Sequence, residues 1–386
     1  PSDGDARDIE DGVIDLAYLN RAMPFLERIE FRRERESIPR FNKFLQGYYD
    51  SGGILKESFD AVIQNDRLSP EMAARGMRLD KTIEPSVFYI GFNMDDPVVG
   101  RAAGARGRKL RQAMSLVIDS EKYLELFANG RGVPAQSPLP PGLFGYDPDY
   151  RNQFRLVDVE RAKKLLVEAG YRDGIDEKTD QPLKLTFDTG NTTSRAKLRF
   201  QFFVNAWRTL GIDVEIAATN YSQFQAKVRR GAYQIFQWGW IADYPDPENF
   251  LFLLQTAMAR SESNGPNTAN FKDREYDRLF DLMKDRENDE RREEIIAEMR
   301  TILEHERPWI ELSHREAYAL SHGWLKNAKP SGLFFEAYKY LDVDTAARDA
   351  LRREWNRPVL WPLYALLALA IALIAPGIVI FYRERQ

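Results

Sequence analysis

The sequence contains no cysteine among its 386 residues. That excludes disulfide staples, thiol nucleophiles and zinc–thiolate sites, and it suits either a reducing cytosol or a cysteine-poor bacterial periplasm. Histidine is nearly absent too: His305, His314 and His322 are the three copies, with no HExxH or other ligand spacing. They read as surface or cleft-edge residues, so neither a metal nor a cofactor is expected. Excess charge is also lacking. The 55 basic and 59 acidic residues leave a net charge of -4, which gives no field for a nucleic acid. The Arg-rich stretches, Arg32 to Arg35 and Arg106 to Arg111, either include an acid or lead into a helix face, so no nucleic-acid partner is expected. The glycines between Gly100 and Gly107 have neither Rossmann nor P-loop spacing. Asp243 and Asp246 could be drawn as an acid/base pair, but no nucleophile, metal cluster or phosphate loop accompanies them, so the chain is not expected to be an enzyme.

Charge is missing most conspicuously from Val359 to Tyr382, an apolar run of 24 residues. At about 1.5 Å per residue it makes roughly 36 Å of helix, enough to cross a hydrocarbon core of about 30 Å. Trp361, Tyr364, Phe381 and Tyr382 lie near its two ends, as interfacial aromatics do. Pro362 falls in the opening turn and Pro376-Gly377 is a tolerable kink in a spanning helix. Arg348, Arg352, Arg353 and Arg357 precede the run and two arginines follow it, so charge alone does not orient it.

What is present ahead of that run is a polar body with 44% hydrophobic residues over the whole chain, enough for a real core and more than one compact unit. The chain opens without Met on Pro1-Ser2-Asp3-Gly4-Asp5, which reads as the middle of a loop. An N-terminal portion is therefore expected to have been cut off or to be supplied as a separate chain. A first strand is expected at Ile29 to Phe31, a helix at Phe41 to Tyr49, a capped helix start at Ser69-Pro70-Glu71 and a strand at Val87 to Asn93. A helical stripe runs from Arg108 to Phe127, followed by a Gly- and Pro-dense loop to Pro148. The central block alternates: helix Val157–Ala169, strand Leu183–Asp188, helix Ser194–Leu210, strand Val214–Ala217, helix Tyr221–Arg230, strand Tyr233–Trp238. Helices at Glu248–Leu254, Glu275–Lys284 and Arg291–His305 and a strand at Trp309–Ser313 follow. Alternation of this kind implies an α/β layer with helices packed on a sheet.

The sharpest local pattern comes directly after one of these strands: Gln237-Trp238-Gly239-Trp240-Ile241-Ala242-Asp243-Tyr244-Pro245-Asp246-Pro247. Two indoles, a tyrosine and two carboxylates on a Pro-stiffened loop suit a cationic or amine-bearing organic ligand, through charge-assisted hydrogen bonds and cation–π contact. On spacing alone the same string also reads as an Asp-Pro turn beside core tryptophans.

With these residues in view, the chain resembles the extracellular solute-binding proteins of the oligopeptide and dipeptide type that feed ABC importers. The resemblance runs from about Pro24 to Tyr340. It rests on Pro24 to Phe31, Tyr89 to Met94, Arg108 to Asp119, Asn129-Gly130-Arg131-Gly132, Gly239 to Pro247, Asn270-Phe271 and Tyr276-Asp277, occurring in family order.

The resemblance implies the C-terminal part of a two-lobed periplasmic-binding-protein fold, of α/β class, with one added C-terminal transmembrane helix. The expected divisions are a remainder of lobe one and hinge (1–87), a second α/β lobe (88–322) and a return segment to lobe one (323–345). A linker (346–357), the transmembrane helix (358–382) and a cytoplasmic tail (383–386) complete the chain. It further implies that Asp243 holds the α-amino group of a bound peptide, that Trp238, Trp240 and Tyr244 line the ligand site, and that Asn93 lies near the entry to the second lobe. The implied function is binding of a peptide or other small solute by hinge closure, without catalysis. The body would be periplasmic and the C-terminus cytoplasmic, in a bacterial inner membrane. The partner through Val359–Tyr382 would be an ABC permease or another integral membrane complex. The alternative is a truncated or repurposed family member serving as an accessory subunit of a membrane complex.

Overall fold

A computed structural model of the chain describes residues 10, 16–18, 21–34, 36–54, 56–328 and 335–385. The opening segment Pro1 to Asp5 and the last residue of the expected tail, Gln386, lie outside the described residues. Contacts divide the chain into two units. One comprises residues 80–318 and 330–336, the other 1–79, 319–329 and 337–386. The boundaries expected at 87/88 and 322/323 lie slightly C-terminal of those at 79/80 and 318/319.

The larger unit is organised by a six-stranded mixed sheet. Its strands are β1 (Ser86–Phe92), β2 (Val133–Pro134), β3 (Lys184–Thr189), β4 (Asp213–Ala218), β5 (Ile235–Ile241) and β6 (Trp309–His314). They stand in the order β4-β3-β5-β1-β6-β2. β4 and β5 each run parallel to β3, and β5 and β6 run antiparallel to β1. β1 and β5 are rich in branched and aromatic side chains on both faces because both faces are covered. On one face Ile90, Phe92, Phe187 and Ile235 meet α1 (Gly104–Ser115), α2 (Ser120–Ala128), α3 (Val159–Glu168) and α4 (Ser194–Arg208). Phe200, Phe203 and Trp207 of α4 are all buried there. On the other face Val87, Tyr89 and Phe236 meet α5 (Tyr221–Arg229), α6 (Arg274–Met283) and α7 (Glu290–Glu306). Each such aromatic or leucine contributes about 1.5–3 kcal/mol by leaving water.

Two glycines allow large rings to lie flat across the β1–β5 pair. A Cβ on Gly91 would stand 2.2 Å from Cζ of Phe236, and one on Gly239 would stand 2.5 Å from the Phe88 ring. Each ring occupies the place its neighbouring strand leaves empty.

Several local expectations change. The Arg108–Phe127 stripe is two helices, because the Asp119 carboxylate accepts from Lys122 N at 2.8 Å and caps a new one. Ile29 to Phe31 forms no strand. His314 and His322 are fully buried rather than at the surface, with one ring nitrogen of each, Nδ1 and Nε2, bonded to the backbone carbonyl of Ser86 and Phe44 respectively. Only His305 is exposed.

In the smaller unit, Ser51–Gly53 pairs antiparallel with Ala319–Ser321. Leu325 and Lys326 pair with Val343 and Asp342, the segment expected to return to lobe one. The stretch expected as a linker contains a helix, α8 (Thr345–Trp355), capped by Asp344. It is held by packing of Trp355 on Trp324 (5.5 Å) and His322 (5.3 Å). Then comes α9 (Trp361–Arg383), whose first 18 residues have a mean hydropathy of 2.0 and none of which is buried.

Candidate ligand-binding loop

The loop following β5 takes its shape from strand alternation. Phe236, Trp238 and Trp240 point to one face of the sheet, and Gln237, Gly239 and Ile241 to the other. Trp238 and Trp240 are half-buried and pack on the core beside α5, α6 and α7. Trp238 lies 5.3 Å from the Phe224 ring and 6.3 Å from the exposed Tyr221, both on α5. Trp240 meets the Phe252 ring edge-on at 5.5 Å. One side of each indole is thus core and the other reaches the surface.

Beyond Ile241 the backbone leaves the sheet, and Ala242 N donates to Pro85 O at 2.8 Å. The buried Asn249 side chain then fixes the turn. Its Oδ1 accepts from Asp243 N (2.9 Å) and from Trp240 Nε1 (3.1 Å), joining the loop to the indole. Asp246 is locked in another way. Its carboxylate takes both terminal nitrogens of the buried Arg292, at 2.8 and 2.9 Å, and also accepts from Glu248 N at 2.8 Å. Arg292 is further bound to Asn288 Oδ1 and Met283 O. The Tyr244 hydroxyl donates to the Glu248 carboxylate, and burial together with that partner raises its pKa.

Against this frame Asp243 differs from its neighbours. Its backbone is held, its side chain is exposed, and among the described residues no donor reaches its carboxylate. The loop therefore carries one spoken-for carboxylate on each of Asp246 and Glu248 and one open carboxylate, flanked by Trp240 and Tyr244. Such a group, prepositioned on a rigid turn, can accept hydrogen bonds from an ammonium without rearrangement.

Asn93 has a different occupation. It is 3% exposed. Its Nδ2 donates to Tyr233 O (3.0 Å) and Gly231 O (3.3 Å), and its Oδ1 accepts from Asn270 Nδ2 (3.0 Å) and Asp95 N (3.2 Å). It is a bolt between β1 and the 264–271 loop, not brought together with Asp243. The residues sequence reasoning missed are the supports, Asn249 and Arg292. Arg292 stands 46 positions from its partner, a pairing with no local signal.

The fold with a mixed sheet and this loop at the end of β5 is that of periplasmic solute-binding proteins. The structure is similar to the ABC transporter-associated periplasmic binding protein DppA from Helicobacter pylori, solved in complex with peptide STSA. The TM-score is 0.67 at 19% identity, covering 81% of this chain and 56% of that one. It is also similar to HbpA2 from Haemophilus parasuis, with a TM-score of 0.64 at 20% identity over 83% of this chain and 59% of that one. The family model of bacterial extracellular solute-binding proteins, family 5 Middle, matches residues 17–260, and the chain belongs to that family. Among curated relatives, heme-binding protein A of Haemophilus influenzae is 26% identical over 67% of this chain and 45% of that protein. Di/tripeptide-binding protein 2 of Pseudomonas aeruginosa is 28% identical over 53% of this chain and 37% of that protein. The chain thus spans less than half the length of these two relatives.

Proposed function

We propose that this chain is the ligand-recognising part of a solute-binding protein for short peptides, with Asp243 receiving the peptide's α-ammonium and Trp238, Trp240 and Tyr244 forming the apolar surround. The observation that carries this reading is the open Asp243 carboxylate on a loop where Asp246 is ion-paired with Arg292 and Glu248 is hydrogen-bonded by the Tyr244 hydroxyl. Relatives named for di/tripeptides and a neighbour solved with a tetrapeptide support the ligand class. Heme, named for another relative, suits the site less well, since its propionates are anionic and would face Asp243. Binding would need no covalent step, and the bound solute would pass to an ABC permease. The exposed α9, long and apolar enough to cross a bilayer by length and composition, would hold the body on the periplasmic side with its C-terminus in the cytoplasm.

Calorimetry on the full chain in detergent, with di- and tripeptides and their N-acetylated counterparts, tests the assignment. The free amines bind. N-acetylation of the ligand, or Asp243→Asn in the protein, weakens binding about tenfold or more, the scale of a charge-assisted bond. An Asp243→Asn variant with undiminished peptide affinity overturns the role of Asp243. Absence of heat from every peptide, with stable co-purification in a membrane complex, replaces the receptor reading with that of an accessory subunit.

A further inference from the structure

Resting on the reading of α9 as a membrane span, we propose that the groove beside the end of α8 binds the phosphate headgroup of an anionic lipid. This groove is a surface depression, open to solvent, of about 460 Å³. Three of its walls are guanidinium groups, Arg352, Arg353 and Arg357, against a single acid, Asp349. Among the described residues none of the three arginines is paired with a carboxylate: Arg352 lies 4.3 Å over the Tyr48 ring, and Arg353 Nε donates to the Asp349 carbonyl. Arg352 and Arg353 complement the C-terminal end of α8, but Arg357 lies beyond the helix, so helix electrostatics do not account for the cluster.

Position selects the ligand's source. Pro358, also in the groove, is three residues before Trp361, so the groove lies within about 10 Å of the start of the apolar helix. Trp361 and Tyr364 are exposed in the first turn of α9, where aromatics meet the lipid–water boundary. A guanidinium cluster one short step outside that boundary is at headgroup depth, and arginine forks match phosphate oxygens.

The groove is also held in shape. Trp355 packs against the stacked His322–Trp324 pair with Arg75 4.4 Å over its ring, and Asn356 Nδ2 donates to Gln46 O at 2.9 Å. Arg348 lies 3.6 Å from Asp50. The arginines therefore stand on a fixed platform. Their place on the outer side, opposite to the usual bias of positive charge, follows if they bind anionic lipid there.

The test uses the full chain and the Arg353→Gln/Arg357→Gln variant, which spares the Arg352–Tyr48 stack. Flotation with phosphatidylcholine vesicles reads the span alone, and both proteins float; failure of the wild type to float would remove the membrane reading itself. Native mass spectrometry of the detergent-solubilised proteins with phosphatidylglycerol and phosphatidylcholine reads the groove. The wild type retains phosphatidylglycerol in preference, and the variant loses that preference about tenfold or more, each arginine near an anionic surface counting for roughly fivefold. Equal retention of both lipids by the wild type, an unchanged preference in the variant, or displacement of phosphatidylglycerol by millimolar inorganic phosphate that itself binds without lipid would each overturn the proposal.

Discussion

Asp246 and Asp243 stand three residues apart on one loop, yet their removal is expected to do different things, and Asp246→Ala measures the structural half. Arg292 is almost fully buried, with 3% of its side chain exposed, while the Asp246 side chain is 31% exposed. Losing Asp246 strands two of the arginine's donors and leaves it Met283 O and Asn288 Oδ1. Breaking a buried pair costs about 3–5 kcal/mol, and water reaching the carboxylate side reduces that to about 2 kcal/mol. The lost acceptor for Glu248 N adds about 1 kcal/mol. The sum, about 3 kcal/mol, should lower the urea midpoint of the larger unit by roughly 1 M, taking a slope of about 3 kcal/mol/M for a unit of this size. Tryptophan fluorescence reports the transition, since Trp207, Trp238, Trp240 and Trp309 all lie in this unit. Adding Arg292→Met to Asp246→Ala should recover part of the loss, because the uncompensated charge is then gone. A midpoint for Asp246→Ala within about 0.2 M of wild type would refute the claim that this pair holds the loop.

Two further outcomes follow from the packing of the larger unit. His314 is buried with Nδ1 donating to Ser86 O at 2.9 Å and, among the described residues, no partner on Nε2, and burial pushes its pKa down to about 4. Because the folded value lies below the unfolded one, near 6.5, the unfolded chain takes up the proton first. Its contribution is present above about pH 6.5 and is lost as pH falls toward 4, up to about 3 kcal/mol. Denaturation midpoints measured from pH 7 to 4 should therefore fall less steeply for His314→Gln than for wild type, and parallel slopes would refute the assignment. Gly91→Ala should destabilise by about 2–4 kcal/mol, since the clashing Phe236 ring is fully buried and cannot move; Gly239→Ala should cost about 1 kcal/mol, because the half-buried Phe88 can swing aside. Thermal melts of the two variants that coincide would contradict this difference.

Much of the larger unit was legible because its signals are local. Strands β1, β3, β5 and β6 begin and end within about two residues of their expected positions, except at the C-terminal end of β5, because branched and aromatic runs bounded by turn residues specify a doubly covered strand. The loop stood out because two indoles, a tyrosine, two carboxylates and two prolines cluster within eleven residues, while the choice of Asp243 within it came from the family resemblance. The helix α8 within the expected linker was not legible, because its packing depends on Trp355 reaching Trp324 and His322, residues about thirty positions earlier. The buried histidines were misread for the same reason: burial is decided by what packs over a ring.

The sequence by itself determined the class of fold, the family, the apolar helix at the end and the loop that gathers carboxylates with aromatics, since each is written in a contiguous run of residue types. Only the tertiary structure decided which carboxylate is open. Asp243 and Asp246 are the same residue type, in the same loop, three positions apart, and nothing local separates them. The difference is made by Arg292, brought by α7 from 46 positions away to neutralise one and not the other. Pairing across that distance is set by how helix and sheet pack, which no local pattern encodes.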